Sequence, residues 1–119
     1  MAQAQPVDAP FRISSAPSES EFLAKYFRVL ADRGRLRILE VLIAEGEASV
    51  GELTRSVGLS QPNVSNHLAC LRWCGFVETR REHRTAYNRI ADPRVVELIA
   101  LARELLEAND DHIASCQRA

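Results

Sequence analysis

The amino-acid sequence predicts a mainly α-helical domain that carries one β-hairpin. Apolar residues recur at helical spacing over most of residues 19–74, and a strand-like alternation interrupted by a charged tip follows at 76–90. A second apolar helical pattern begins at Asp92-Pro93. With 119 residues, 46% of them hydrophobic, the chain is long enough for one small domain with its own core.

The first two predicted helices are separated by a short break. Apolar residues at helical spacing predict a first helix over about 19–31. Arg33-Gly34 interrupts this pattern, and a second helix then ends near Gly46. The residues before position 19 contain three prolines and little periodicity, which predicts a flexible N-terminal arm over 1–18.

The next two helices are marked by capping residues. Ser49 and Glu52 have the spacing of a capping box for a short third helix, which Gly58 ends. Ser60 is a suitable N-cap for a fourth helix, which runs to about residue 74 and ends at Gly75. A short helix, a tight turn and a second helix have the arrangement of a helix-turn-helix.

The hairpin and the last helix complete the predicted fold. A basic hairpin after a helix-turn-helix predicts a winged helix-turn-helix of order α-α-α-α-β-β-α. Asp92 caps the last helix, which we expect over 93–108 with a broad apolar face. The predicted domain therefore spans 19–108, and residues 109–119 form a C-terminal tail with one cysteine.

Charge distribution, apolar runs and missing motifs limit the classes of function that this sequence can have. The net charge is −1, but residues 60–90 carry +3 and residues 91–119 carry −3, so charge is concentrated where a wing would meet phosphates. No apolar run approaches the roughly 18 residues of a membrane helix, and no signal-peptide pattern begins the chain, so we expect a cytoplasmic protein with no membrane partner. The chain has no nucleophile motif and no Gly-rich phosphate loop, so we expect neither an enzyme nor an organic cofactor.

The helix-turn-helix predicts double-stranded operator DNA as a partner. Short polar side chains at the start of the fourth helix suit hydrogen bonds to base edges and phosphates. The candidate contacts on this helix are Ser60, Gln61, Asn63, Ser65, Asn66 and Arg72. The candidate contacts on the wing are Arg80, Arg81 and Arg84, for which a solvated hairpin is the alternative.

Two cysteines lie on one stripe of the fourth helix. Side chains four residues apart have Cβ atoms about 5–6 Å apart, too far for an easy disulfide but suited to two thiolates on one soft ion. Cys70 and Cys74 have this spacing, and Cys116 is the remaining cysteine that could add a third thiolate. Cysteine as a small buried apolar residue is the alternative. His67 and His112 stay open as further ligands.

Two long segments resemble the ArsR/SmtB family of repressors. They are LADRGRLRILEVL, in which Arg33-Gly34 replaces the usual Pro-Thr, and GELTRSVGLSQPNVSNHLACLRWCGFV. The similarity covers about residues 20–107. It implies a homodimeric winged-helix repressor that releases operator DNA when a metal binds. It also implies a dimer formed by the first and last helices.

The positions of the cysteines resemble one branch of that family. One branch has Cys-Val-Cys where this chain has Ser49-Val50-Gly51, and another uses Asp and His ligands on the last helix, which this chain matches only faintly. The CmtR-like cadmium/lead-sensing branch uses Cys-x-x-x-Cys at the end of the reading helix and a tail cysteine from the other subunit. Cys70, Cys74 and Cys116 match that pattern. The resemblance implies Cd(II) or Pb(II) as inducer, with Zn(II) or As(III) as further possible ions.

Other functions stay open at this point. The same thiols suit a repressor that senses As(III) or thiol oxidation. From other classes, a metallochaperone, a thiol redox enzyme or a winged helix used only for protein interaction are alternatives. Failure to bind DNA would favour these. The sequence also leaves open which subunit supplies Cys116.

Overall fold

The computed structural model describes residues 18–118. The described chain confirms the predicted winged helix-turn-helix. Its elements are α1 (Glu19–Leu30), α2 (Arg33–Glu45), β1 (Ala48–Ser49), α3 (Val50–Val57), α4 (Gln61–Trp73), β2 (Val77–Glu82), β3 (Thr85–Ile90) and α5 (Pro93–Ser115). The predicted N-terminal arm lies outside the described residues except for Ser18, which caps α1. Among the described helices, none is long and apolar enough to cross a membrane.

The sheet has one strand more than the sequence predicted. β1 pairs antiparallel with β3, and β3 pairs antiparallel with β2, so the strand order is β1-β3-β2. In this register Asn88 lies opposite Ala48 on one side and Thr79 on the other. A strand of two residues is too short to show an alternating pattern, which is why the sequence did not predict β1.

The last helix is also longer than predicted. We expected it to end at residue 108, where the apolar spacing weakens, but α5 continues to Ser115. Asn109 interrupts it with non-helical angles of φ −132° and ψ 23°, and the Asn109 side chain donates a hydrogen bond to the Leu105 carbonyl at 2.9 Å. The polar residues beyond Asn109 are therefore helical without belonging to an apolar stripe.

The core is built around one stripe of α4. Val64, Leu68 and Leu71 are buried, and their helical spacing places them on one side of the helix. Phe76, which follows the helix, is fully buried, and its ring lies 4.5 Å from that of Tyr26 on α1. Because one stripe of α4 is fixed in the core, its remaining faces are fixed in direction as well.

The predicted caps are present. Ser49 and Glu52 form the capping box of α3, and Gly58 ends that helix in the left-handed conformation. Ser60 caps α4, and Asp92 caps α5 by accepting a hydrogen bond from the Arg94 N–H at 2.9 Å. These caps place the two helices of the helix-turn-helix and the start of α5.

A glycine turn joins the end of α4 to the wing. Gly75 has φ +85°, and its N–H donates to the Arg72 carbonyl at 3.1 Å. The Phe76 N–H donates to the Leu71 carbonyl at 2.9 Å. This pair of bonds is a Schellman motif, which closes the helix end and directs the chain into β2.

The outer faces of α1 and α5 remain apolar and exposed. The large apolar side chains that lie about half exposed there are Phe22, Leu23, Phe27, Leu101, Leu105, Leu106 and Ile113. A groove between α1, α2 and α5 lies beside them, lined by residues that include Phe27, Leu30, Leu36 and Leu106. A continuous surface of large, exposed apolar side chains is typical of a protein–protein contact.

Replacing Gly75 by alanine should destabilise the fold. The added Cβ meets no atom within 4 Å, so the loss comes from the positive φ alone, which costs an L-residue about 1–2 kcal/mol. Urea denaturation at one fixed protein concentration measures it. Gly51→Ala is the matched control, because helical Gly51 has only an ordinary 3.7 Å contact there and should gain about 0.5–1 kcal/mol. Equal stability of the two variants would contradict the left-handed turn.

Candidate DNA interface and thiol site

The reading helix exposes the predicted polar face. Gln61, Asn63, Ser65 and Asn66 are all exposed on α4. Ser60 is placed differently from these four, because its Oγ accepts a hydrogen bond from the Asn63 N–H at 3.3 Å and so serves the helix cap. Four exposed polar side chains therefore project from the N-terminal half of α4, where a reading helix enters a major groove.

The wing tip carries two exposed arginines. Arg81 ends the basic part of β2, and Arg84 lies in the turn beside His83, whose φ is +58°. Within residues 18–118 neither arginine forms a salt bridge. Their guanidinium groups can therefore reach phosphates or a minor groove without breaking an ion pair of the described chain.

Arg80 is held inside the wing. Its Nε and Nη2 donate to the two oxygens of Glu47 at 3.1 and 2.6 Å, and its Nη1 donates to Glu82 at 2.9 Å. Its guanidinium lies 4.8 Å from the ring centre of Tyr87, and the two carboxylates raise its pKa further above the ordinary arginine value. Arg80 therefore orients the wing against the segment before β1, a contact for which the sequence carries no local signal.

Arg72 connects α4 with the wing. Its Nη1 donates to the Thr79 hydroxyl at 3.2 Å, and this hydroxyl donates to Asn88 Oδ1 at 2.9 Å. Asn88 is the buried polar side chain of the described core, 1% exposed. Sequence reasoning missed Thr79 and Asn88. Asn88 stands at an inward position of an alternating strand, and a polar residue there was the available signal.

The two thiols of α4 lie side by side, half buried against the core. Cys70 and Cys74 both pack on the apolar cluster. Burial raises the pKa of Cys74, the negative charge of a neighbouring Cys70 thiolate raises it further, and Lys25 and Arg35 lower it in part. A metal that binds Cys74 as a thiolate must therefore displace the proton that the raised pKa of this thiol retains.

A cavity opens beside Cys74 at the start of α5. It is lined by Tyr26, Cys74, Gly75, Asp92, Arg94, Val95 and Leu98. Asp92 accepts hydrogen bonds from both the backbone and the guanidinium of Arg94, which lower the pKa of this carboxyl to about 2. The Cys74 thiol is thus reached from solvent between α1 and the first turn of α5.

Cys116 lies at the other end of α5. It is exposed and forms the C-cap of that helix. At about 1.5 Å per helical residue, it is on the order of 25 Å further along than Ile99, the last buried residue of α5. Within residues 18–118 no three side chains of His, Cys, Asp or Glu form a group that could hold a metal ion. A single chain therefore brings together two of the three predicted thiol ligands.

His67 belongs to the contact between α2 and α4. Its Nε2 lies 3.7 Å from Asp32 Oδ1, and a Cβ built on Gly34 would lie only 2.8 Å from this nitrogen. Gly34 therefore leaves the space that the imidazole ring occupies. His112 is exposed near the end of α5.

Trp73 is the exposed aromatic residue next to Cys74. Its side chain is 91% exposed, so it does not pack on the wing of its own chain. It is also the single tryptophan of the sequence, which makes it a specific optical probe of this region.

Comparison with known proteins agrees with the architecture. The family profile described as bacterial regulatory protein, arsR family, matches residues 32–79. A probable mercury resistance operon repressor from Streptomyces lividans is 41% identical over 95 residues, 80% of this chain and 75% of that protein. The HTH-type transcriptional regulator CmtR of Mycobacterium bovis is 38% identical over 98 residues, 82% of each chain.

A solved structure extends the likeness to three dimensions. The homodimeric winged helix-turn-helix DNA-binding domain of Mb0332 from Mycobacterium bovis has a TM-score of 0.66 and 30% identity, and covers 89% of this chain and 99% of that one. A reading helix followed by a basic hairpin defines a winged-helix DNA-binding regulator. Among such regulators, the chain belongs to the ArsR family of transcriptional repressors.

Replacing Gly34 by alanine should disturb the contact of α2 with α4. The new methyl group would meet His67 at 2.8 Å and Leu59 at 3.1 Å, and overpacking of this kind costs about 1–3 kcal/mol. His67→Ala should relieve part of that loss, so the double variant should be more stable than additivity predicts by about 0.5 kcal/mol or more. Urea denaturation of the four proteins measures this coupling. Strict additivity would show that the ring does not occupy the space beside Gly34.

Proposed function

We propose that this protein is a metal-responsive repressor that binds operator DNA as a homodimer and leaves it when a soft divalent metal binds. The proposed inducer is Cd(II) or Pb(II), with Cys70, Cys74 and Cys116 as ligands. The observation that carries the proposal is the pair of half-buried thiols in the last turn of the reading helix, of which Cys74 borders a solvent-open cavity. No other described element combines a DNA-reading face with paired thiols.

The proposed DNA contacts come from two elements. Gln61, Asn63, Ser65 and Asn66 would contact base edges and nearby phosphates from α4, because they are polar and exposed on the outward face. Arg81 and Arg84 would contact phosphates from the wing tip. Ser60, Arg72 and Arg80 were predicted for the same surface. Their hydrogen bonds inside the described chain favour a supporting role for these three.

The proposed dimer uses the apolar faces of α1 and α5. These faces expose large apolar side chains on both helices, and a twofold pairing of the same face would cover them. The homodimeric state described for the Mb0332 domain supports this arrangement. A stable dimer would also compensate for the small core of a chain of this length.

The dimer also explains how a third thiol could reach the pair on α4. Cys74 borders a cavity at the start of α5, and Cys116 is at its end, one helix of 23 residues away. When two such helices pair antiparallel across a twofold axis, the end of each lies near the start of the other. Cys116 of one copy is then on the side of Cys70 and Cys74 of the second copy.

The donor set fits a soft cation. Two adjacent thiols with a third on a helix end form a set of sulfur ligands, which suits thiophilic ions. When bound, the metal would supply one link between the reading helix of one subunit and the last helix of the other. Such a link is a coupling free energy between two sites, typically about 1–3 kcal/mol, and is reciprocal with DNA binding.

Two alternative inducing signals, arsenite and oxidation, would use the same residues. Arsenite also takes three thiolates, and oxidation would join Cys116 to one thiol of α4 as a disulfide. The helical spacing of Cys70 and Cys74 disfavours a disulfide between these two. A mass measurement without reductant distinguishes oxidation from metal binding, and competition between As(III) and Cd(II) distinguishes the two ions.

The wing-tip arginines should govern the salt dependence of DNA binding. The slope of log affinity against log salt is negative. Its magnitude should fall by about 1 in Arg81→Ala and in Arg84→Ala, because each variant removes one phosphate contact. Fluorescence anisotropy measures this with a duplex that the apo-protein selects from a random-sequence pool. Arg103→Ala is the control, because this arginine pairs with Glu40 between α5 and α2, and its slope should stay that of the wild type. Unchanged slopes for both wing variants would exclude the wing tip from the interface.

Cadmium titration of the reduced apo-protein should show three sulfur ligands per ion. Thiolate-to-metal charge-transfer absorbance should saturate at one ion per subunit, and Cys116→Ser should lower it by about a third. Fluorescence of Trp73 should change at the same stoichiometry, because this residue is next to Cys74 in the chain.

The matched control is Ser115→Ala, which leaves all three thiols in place. Its titration should equal that of the wild type, although it loses the hydrogen bond from Ser115 Oγ to the Asp111 carbonyl. Absence of a charge-transfer band would eliminate the metal site. A band that does not depend on Cys116 would remove the third ligand and the bridge between subunits.

A further inference from the structure

A chain of side-chain hydrogen bonds runs from the last turn of α4 through the wing to β1. Arg72 Nη1 donates to Thr79 Oγ1 at 3.2 Å, and Thr79 Oγ1 donates to Asn88 Oδ1 at 2.9 Å. Asn88 Nδ2 then donates to the Ala48 carbonyl at 3.1 Å. The three bonds follow one direction from donor to acceptor, an arrangement in which hydrogen bonds strengthen one another.

This series of hydrogen bonds begins between the two proposed metal ligands on α4. Arg72 lies two residues after Cys70 and two before Cys74, in the turn that the Schellman motif closes. Any rotation or tightening of this turn moves the stem of Arg72 together with the two sulfurs, because all three belong to one helical turn.

The buried member of this hydrogen-bond series lies at the centre of the sheet. Asn88 lies on the middle strand, opposite Thr79 of β2 and Ala48 of β1. It is 1% exposed, so an amide group that lost its partners there would have no water to replace them. β1 continues directly into α3, the first helix of the helix-turn-helix. A shift of Asn88 would therefore move both the wing and the start of α3.

We infer that Thr79 and Asn88 are positioning residues that transmit the state of the thiol-bearing turn to the wing and to α3. This inference rests on the proposed metal response. It adds the residues that connect the metal site with the DNA-binding elements inside one subunit. The Thr79 hydroxyl is the critical link, because it accepts a hydrogen bond from Arg72 of α4 and donates one to Asn88 of β3. Neither residue contacts the proposed metal or needs to contact DNA.

Thr79→Val tests the link, since valine keeps the shape and strand preference of threonine and removes the hydroxyl. We expect unchanged cadmium stoichiometry and charge-transfer absorbance, and apo-protein affinity for the selected duplex close to that of the wild type. The weakening of DNA binding by Cd(II) should shrink by roughly 2- to 30-fold, the range typical of coupling residues. Thr79→Ser, which keeps the hydroxyl, should restore the wild-type response.

The matched control is Thr85→Val on β3, whose hydroxyl makes no hydrogen bond within residues 18–118. It should respond to Cd(II) as the wild type does. A wild-type response in Thr79→Val would overturn the transmission route and leave the repressor proposal intact. A wild type that does not lose DNA affinity with Cd(II) would overturn both, since there would be no response to transmit.

Hydrogen exchange of the wild-type protein gives a second readout that needs no variant. Cd(II) should change the exchange rates of backbone amides in residues 77–90 and at β1, in addition to those near the thiols. This measurement decides the matter if Thr79→Val does not fold. A change confined to the last turn of α4 and to α5 would contradict transmission through the wing.

Discussion

The fixed rotation of α4 about its own axis, set by the core, is the constraint on which the other features depend. Val64, Leu68 and Leu71 are buried on one stripe, so the helix cannot turn about its axis without exposing them. Every other face then has a set direction. The polar N-terminal half points outward, the thiols lie at the edge of the core, and Arg72 points to the wing. One apolar stripe thus determines where the polar reading face, the two thiols and the contact with the wing lie on the same helix.

The end of α4 concentrates several roles in one turn. Cys74 is the last residue before a left-handed glycine, and the next residue, Phe76, is fully buried against Tyr26 of α1. The helix end is therefore tied to the core, to α1 and to the wing within three residues. A ligand that binds there contacts a segment that is directly connected to the core, to α1 and to the wing. A small change in its geometry can therefore act on all three.

Much of this fold could be predicted because it depends on local signals. The caps Ser49, Ser60 and Asp92, the stop at Gly58 and the buried stripe of α4 all follow from periodicity and from backbone hydrogen-bonding needs. The missed features are non-local or lack a pattern. β1 is two residues long, Arg80 pairs with Glu47 across 33 positions, and α5 continues through polar residues. The shared stripe of Cys70 and Cys74 is local and was predictable, whereas the place of Cys116 at the C-cap of α5 follows from the unexpected extension of that helix.

The uncovered apolar faces of α1 and α5 bear on the lifetime of the protein in a cell. Folding and association are linked when a monomer leaves such faces exposed, so the stable fraction rises with total concentration. Newly made chains at low abundance would be the most open to proteases, and chains above the dissociation constant would be protected. Turnover would then depend on copy number, which gives this regulator a threshold abundance below which it is preferentially removed.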